Sequence, residues 1–272
     1  MDSRPPAART PGAVRRRVTD LATLALEVAR EAGALLLERF GSPARGVGSK
    51  SSVTDLVSDA DRDAEALIVR RLRAARPDDA IVAEEGTSRH GTSGLSWYVD
   101  PLDGTINYLY GIPHWCVTLA CADGEGAIVG VIHDPSRLET FTAQRSRGAF
   151  VSQRRLAVST EPDLGKALVA TGFGYDAEVR RRQGTAVARV LPRVRDLRRF
   201  GSAALDLAWV AAGRFDGYFE SGINPWDVEA GILIVREAGG RATRLKGIGD
   251  DPRPAVVATN AAIHEALRTL LA

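Results

Sequence analysis

The sequence predicts a two-part α/β protein: an α+β half, then an α/β half. Three observations carry that expectation. Two helical patterns open the chain, a run of short and mostly adjacent strands follows, and strands then alternate with helices to the C-terminus. With 272 residues the chain can bury a large core, and it fits one big domain or two modest ones. The expected organisation is a disordered arm over 1–18, an α+β half over 19–155 and an α/β half over 156–272. The junction falls between Ser152 and Gly165, and no repeat or low-complexity segment interrupts the folded region.

Met1 to about Val18 is rich in Pro, Ala and Arg and has no apolar stretch, so it reads as a disordered arm. In Leu21–Phe40, Leu21, Leu24, Ala25, Val28, Ala32 and Leu35 recur at helical spacing. Glu27, Arg30, Glu31, Glu38 and Arg39 interrupt the apolar run, so the segment is an amphipathic helix, neither a membrane span nor a secretion signal. A polar, glycine-rich loop runs from Gly41 through Ser52. A second helix starts at Ser58-Asp59-Ala60-Asp61, with Ser58 capping and Asp61 three residues on. Ala64, Leu67, Ile68, Leu72 and Ala75 line its inner face, and Pro77 stops it.

Strand signals follow at Ala80–Ala83, Ser96–Val99, Trp115–Ala122, Ala127–His133, Glu139–Ala143 and Gly148–Val151, which predicts a largely antiparallel sheet. The second half reads as strand Ala167–Thr171, helix Ala177–Leu191 and strand Leu197–Arg199. Next come an apolar helix opened by Gly201-Ser202-Ala203-Ala204-Leu205 and ending at Gly213, and strand Gly217–Glu220. A helix from Pro225 to Ala238 has Pro at its first position and Gly239-Gly240 just past its end. Strands Arg241–Leu245 and Ala255–Ala258 and helix Ala261–Leu271 close the chain.

The formal net charge of +2 is too near neutral to call for a nucleic-acid or membrane partner. Arginine is dense at Arg15-Arg16-Arg17, Arg180-Arg181-Arg182 and Arg198-Arg199, and the first two runs read as solvated faces. Cys116 and Cys121 are spaced to point to opposite faces of a strand, which argues against a mutual disulfide and suits a reducing, cytoplasmic setting. His90, His114, His133 and His264 are scattered without metal-ligand spacing. No nucleophile elbow, Walker loop or dinucleotide fingerprint is present.

Five carboxylates stand on three short stretches. Val99-Asp100-Pro101-Leu102-Asp103-Gly104-Thr105 ends an apolar run in one acid and offers another three residues on. Alone, it is equally an ordinary turn. Glu84-Glu85 follow a strand, where acids are usually just solvated, and Asp227 opens a helix, where the macrodipole explains an acid. Asp59 and Asp61 have a capping explanation. As a set, these oxygen ligands without His or Cys suit Mg²⁺, Mn²⁺ or Ca²⁺ rather than zinc. Donors at a helix start from Thr105 would let phosphate share the site.

The order Lys50, Asp61, Glu84-Glu85, Asp100-Pro-Leu-Asp103-Gly-Thr105, Trp226-Asp227 resembles the inositol monophosphatase family of Mg²⁺-dependent, lithium-sensitive phosphomonoesterases. The resemblance runs from about Leu21 to the C-terminus. Its most specific motifs are Asp-Pro-Leu-Asp-Gly-Thr-x-Asn-Tyr within Val99–Tyr108, and Asn224-Pro-Trp-Asp-Val-Glu-Ala-Gly231 leading to Glu237-Ala-Gly-Gly240. Asp55-Leu-Val-Ser-Asp-Ala-Asp61 and Gly201-Ser-Ala-Ala204 agree with it.

The resemblance implies a layered αβαβα sandwich with two or three Mg²⁺ ions between the halves, Mn²⁺ being able to substitute. Glu84, Asp100 and the Leu102 carbonyl would bind one ion, and Asp100, Asp103 and Asp227 a second, with Glu84 touching a third. Thr105 paired with Asp61 would orient the attacking water. Gly104 and Thr105 N–H groups would hold phosphate, and Ala203 and Glu220 would contact the alcohol. It implies a homodimer acting on a small phosphate monoester, while the near-neutral charge does not call for a membrane or nucleic-acid partner.

Ile106 replaces a frequent hydroxyl residue, and Asn224 and Pro225 also depart from many relatives. These changes leave the acids intact and fall near the leaving group. Glu220, in Phe215-Asp-Gly-Tyr-Phe-Glu-Ser-Gly222, favours myo-inositol monophosphate, since a carboxylate accepts hydrogen bonds from a polyol. The alternatives are histidinol phosphate or another small phosphomonoester or nucleotide. A different class of reading is an RNA- or transcription-associated binding protein with residual phosphatase activity, using the basic segment Arg193–Arg199.

Overall fold

The computed structural model describes residues 11–42, 46–49 and 56–272. Helix α1 spans Pro11–Arg39, so it begins inside the segment expected to be a disordered arm. Residues 11–18 are helical instead. Proline opens a helix at little cost, because its missing N–H is one a helix leaves unpaired anyway. Val18 already packs on the core one turn before Leu21 does. Short strands β1 (Gly48–Ser49) and β2 (Leu56–Val57) form an antiparallel ladder. That ladder begins within the stretch read as loop, while Lys50 and Asp55 lie outside the described residues. Helix α2 (Asp59–Ala75) carries the expected capping box at Ser58 and Asp61.

The first large sheet follows. Its members are β3 (Ala80–Ala83), β4 (Ser88–Arg89), β5 (Ser96–Asp103), β6 (Cys116–Asp123), β7 (Gly126–Asp134), β8 (Glu139–Gln144), β9 (Gly148–Val151) and β10 (Arg154–Arg155), in the order β10-β9-β8-β7-β6-β5-β3-β4. Only β3 and β5 pair in parallel. The two-residue strands β4 and β10 were not signalled, because two residues carry no readable alternation. A short helix, α3 (Thr105–Leu109), joins β5 to β6.

The second half supplies β11 (Leu168–Thr171), α4 (Ala177–Val190), β12 (Asp196–Arg198), α5 (Ala203–Ala211), β13 (Gly217–Ser221), α6 (Pro225–Glu237), β14 (Arg241–Leu245), β15 (Ala255–Thr259) and α7 (His264–Leu271). Its five strands run in the order β12-β11-β13-β15-β14. The first three are parallel, and β15 is antiparallel to both its neighbours.

Three apolar clusters glue five layers. Leu21, Val28 and Leu36 of α1 and Ile68 and Leu72 of α2 pack on Trp97, Val117 and Leu119 of the large sheet. Its other face meets α5 and α6, whose Leu205, Val210, Ile234 and Val235 also touch Tyr218 and Val256 of the small sheet. Helices α4 and α7 close the far side through Val190 and Leu267 on Val169 and Val257. The result is the expected αβαβα sandwich. Helices α5 and α6 are apolar nearly all round because both of their faces are covered by sheet. Cys116 and Cys121 are free, buried, and on opposite faces of β6.

Candidate active site

Strand β5 delivers two acids to one place by an irregularity. Asp100 lies opposite Thr118 and Asp103 opposite Cys116, so one extra residue is bulged out between them. In a regular strand, residues three apart point to opposite faces, and the bulge returns Asp103 to the side of Asp100. Asp100 is 2% exposed, and its Oδ1 accepts from the Leu102 N–H at 2.9 Å. The Leu102 side chain is buried in the first core, while its carbonyl accepts from Thr105 Oγ1 at 3.0 Å. Gly104 then turns with φ +99°, and a Cβ there would sit 2.9 Å from the His114 carbonyl, so both conformation and space demand glycine.

Glu84 follows β3 and extends the parallel ladder through its N–H to the Val99 carbonyl at 3.1 Å. The turn after it is fixed by Glu65 of α2, a buried carboxylate that accepts from the Glu85 N–H at 2.7 Å and from the Thr87 N–H and hydroxyl at 3.1 and 2.6 Å. Asp227 stands at the third position of α6. Its Oδ2 accepts from the Asn224 N–H at 2.8 Å, closing a capping box. Carboxylate oxygens of Glu84, Asp100 and Asp227 all lie within 4.8 Å of one another, close enough to share a metal ion.

Asp61 is built the same way at the start of α2. Its Oδ2 accepts from the Ser58 N–H and hydroxyl at 2.9 and 2.6 Å, and its Oδ1 faces Thr105 Oγ1 at 3.1 Å. The Thr105 hydroxyl has one hydrogen, so it serves either Asp61 or the Leu102 carbonyl at a given moment. Asp103 is held from the second half. Its Oδ2 accepts from the Ser202 hydroxyl at 2.6 Å and the Ala204 N–H at 2.7 Å, tying β5 to the start of α5. Asn107 supports that tie by donating to the His114 and Phe200 carbonyls at 2.8 and 2.7 Å.

These acids border one cavity of about 450 Å³, together with Leu102, Gly104, Thr105, Ala203 and Glu220. Asp61 stands behind Thr105 rather than on the wall. Glu220, on β13, accepts from the Tyr218 hydroxyl at 2.8 Å. Gly172 makes room for it, because a Cβ there would lie 2.0 Å from its carboxylate. Burial pushes the Glu220 carboxyl up to about 7. Burial, then the charges of Glu84 and Asp103, hold Asp100 and Asp227 well above the usual carboxylate range. Burial also raises Asp103 to about 6, against the hydrogen bonds from Ser202 and Ala204 that favour its charge. Negative groups are thus crowded out of water on one wall, an arrangement that a cation relieves.

The profile of the inositol monophosphatase family matches residues 17–272. The chain belongs to that family. It is 44% identical over 229 residues to the Nus factor SuhB of Xylella fastidiosa, covering 84% of this chain and 82% of the relative. It is 42% identical over 246 residues to the inositol-1-monophosphatase of Rhizobium meliloti, covering 89% and 92%. Among solved structures, the extragenic suppressor protein suhB of Bartonella henselae superposes with a TM-score of 0.86 at 38% identity, covering 93% of this chain and 98% of that one. Membership makes this a metal-binding phosphatase, and the family is generally Mg²⁺-dependent.

Glu84, Asp100, Leu102, Asp103, Gly104, Thr105, Ala203, Glu220 and Asp227 border the cavity, and Asp61 stands behind Thr105. Sequence reasoning gave no role to four residues that brace or border the site. Glu65 was hidden as an ordinary polar position on a helix, while Asn107 and Ser202 were carried inside the quoted motifs with no part assigned to them. Asp206, on α5 and also bordering the cavity, was lost in an apolar run. A charged residue in an otherwise buried helix was the available signal for that one.

Proposed function

We propose that this cavity hydrolyses myo-inositol monophosphate to inositol and inorganic phosphate with Mg²⁺ as cofactor. The observation that carries the reading is the opening of the Glu84, Asp100 and Asp227 oxygens onto the same cavity as the Glu220 carboxylate. The donor set fits a hard divalent cation, since it is all oxygen, largely buried and mutually repelling. Glu84, Asp100 and the Leu102 carbonyl would hold one ion, and Asp100, Asp103 and Asp227 a second. A third would touch Glu84, and Mn²⁺ would serve in place of Mg²⁺. When bound, Mg²⁺ neutralises phosphate charge and makes water a better nucleophile at neutral pH.

The chain's own residues do the positioning. Asp61 accepts the Thr105 hydroxyl hydrogen, which leaves a Thr105 lone pair to orient the attacking water. The Gly104 and Thr105 N–H groups face the phosphate. Ala203 and Glu220, on the same cavity, would hold the alcohol. No covalent protein nucleophile is needed, because phosphoryl transfer is driven by positioning and electrostatics. Lithium sensitivity and a homodimer are proposed from the family. A cytoplasmic setting is supported by two free, buried thiols.

The test is a panel of phosphate monoesters with Mg²⁺, ranked by kcat/KM. Inositol monophosphate should lead. If histidinol phosphate or a nucleotide leads, the inositol substrate falls and the phosphatase stands.

The SuhB relatives named as Nus factors favour a second reading, a binding role in transcription alongside catalysis. The exposed Arg193 and Arg195 would serve it. Nucleic-acid binding that weakens steeply with salt would support this role, and salt-independent or absent binding would remove it.

A further inference from the structure

We infer that Asp206 is a second recognition carboxylate for the leaving alcohol, acting beside Glu220 on hydroxyl groups of a polyol. The inference rests on the polyol reading above. Asp206 sits one turn into α5, is 1% exposed, and borders the cavity that Glu220 borders. Its Oδ1 is buried without any hydrogen-bond partner. Leaving a buried carboxylate oxygen unpaired is costly, and the cost is recovered only if something entering the cavity pairs with it.

The first turn of α5 favours an acid through the helix macrodipole, but that favour does not require burying one of its oxygens unpaired. Ser202 caps α5, so Asp206 has no capping role. Its helix neighbours Leu205, Leu207 and Ala208 are fully buried, and an apolar residue would pack among them without penalty. Glu220 is the near carboxylate whose charge acts most on Asp206, and the Arg199 guanidinium offsets both. Two acceptors from different elements, α5 and β13, thus border the same cavity within range of each other's charge. A ligand with two hydroxyl hydrogens on the side away from its phosphate would satisfy both.

The test compares myo-inositol 1-phosphate with p-nitrophenyl phosphate, whose leaving group has no hydroxyl to donate beyond the ester oxygen. In Asp206→Asn, the ratio of kcat/KM for the inositol ester to that for the aryl ester should fall by about tenfold to a hundredfold, the range for one charge-assisted hydrogen bond. Asp206→Leu should show the same fall, and its metal-free Tm should rise, because an unpaired buried carboxylate is removed. An equal loss on both esters, or no change in the ratio, overturns the inference. So does a lower Tm in Asp206→Leu, which would make the residue structural. A wild-type enzyme with no preference for the inositol ester would fell the polyol reading and this inference together. A clear preference that ignores Asp206 would fell this inference alone.

Discussion

Asp100 is the residue on which most of the chemistry converges. It is buried, it lies within reach of both Glu84 and Asp227, and its carboxyl is raised well above its ordinary range by burial and by those neighbours. Asp100→Asn keeps the shape and removes the charge. It should lower kcat by several orders of magnitude, the scale of metal and electrostatic contributions, while metal-free Tm stays level or rises. A kcat within about twofold of wild type would refute the role. Glu220→Gln separates recognition from that chemistry. It should weaken inositol phosphate by about tenfold to a hundredfold more than glycerol 2-phosphate. Equal losses would assign Glu220 to structure or metal binding. At this scale the sequence was readable where residue type and motif coincide, as at Asp100, Asp103 and Asp227. It was opaque where a role depends on what lies opposite. The Ser202 hydroxyl meets Asp103 across 99 positions of chain, and no local pattern announces that.

Strand β5 with its bulge is the element that assembles the site. The sequence announced a strand ending at Val99, with a turn through Pro101. The structure continues the strand to Asp103, because a bulge lets the ladder with β6 resume. Turn residues signal a break, but they cannot say whether pairing restarts. The break closes at Gly104, so Gly104→Ala probes the whole device. Its positive φ and the 2.9 Å approach to the His114 carbonyl leave no room for a methyl group. The substitution should cost about 1–3 kcal/mol of stability. It should also lower kcat more than Tm alone explains, since Asp103 and Thr105 flank it. Unaltered Tm and kcat by thermal melt and steady-state assay would show that the turn tolerates Cβ. The helices were legible from apolar spacing at α1 and α2 and from glycine and proline punctuation at α5 and α6, while α7 begins at His264 rather than Ala261. The other exception was the start of α1, where a Pro- and Arg-rich composition masked a helical turn that Val18 anchors.

The site belongs to the molecule as a whole, because Glu84, Asp100 and Asp103 come from the first half, while Asp206, Glu220 and Asp227 arrive from the second. Chelation should abolish phosphatase activity and Mg²⁺ should restore it, while Ca²⁺, larger and looser in coordination, should inhibit. Full activity in excess chelator would sink the metal assignment. Stability should depend on pH in a defined direction. Folding raises Glu220 from 4.5 to about 7 and Asp103 from 3.8 to about 6, so between those limits the folded protein holds protons that the unfolded chain has released. Metal-free Tm should therefore fall as pH rises through this window. The expected fall is a few °C, the scale of about 1–3 kcal/mol in a chain this size. Saturating Mg²⁺ should flatten or reverse the trend, and a metal-free Tm that climbs instead would contradict the burial of these acids. The five-layer stacking was legible only through resemblance, since element order fixes neither which sheet face a helix covers nor that α5 and α6 serve two sheets. The paired duty of Asp61 and Asp227 has a consequence for lineages that abandon catalysis. Each closes a capping box with its Oδ2 as well as serving the site, so helix integrity would keep selecting them after the enzyme fell silent. Glu84 and Asp100 have no such second employment in a helix cap and would drift first. A descendant retaining Asp61 and Asp227 but not Glu84 and Asp100 would be a retired enzyme whose surviving aspartates testify to architecture.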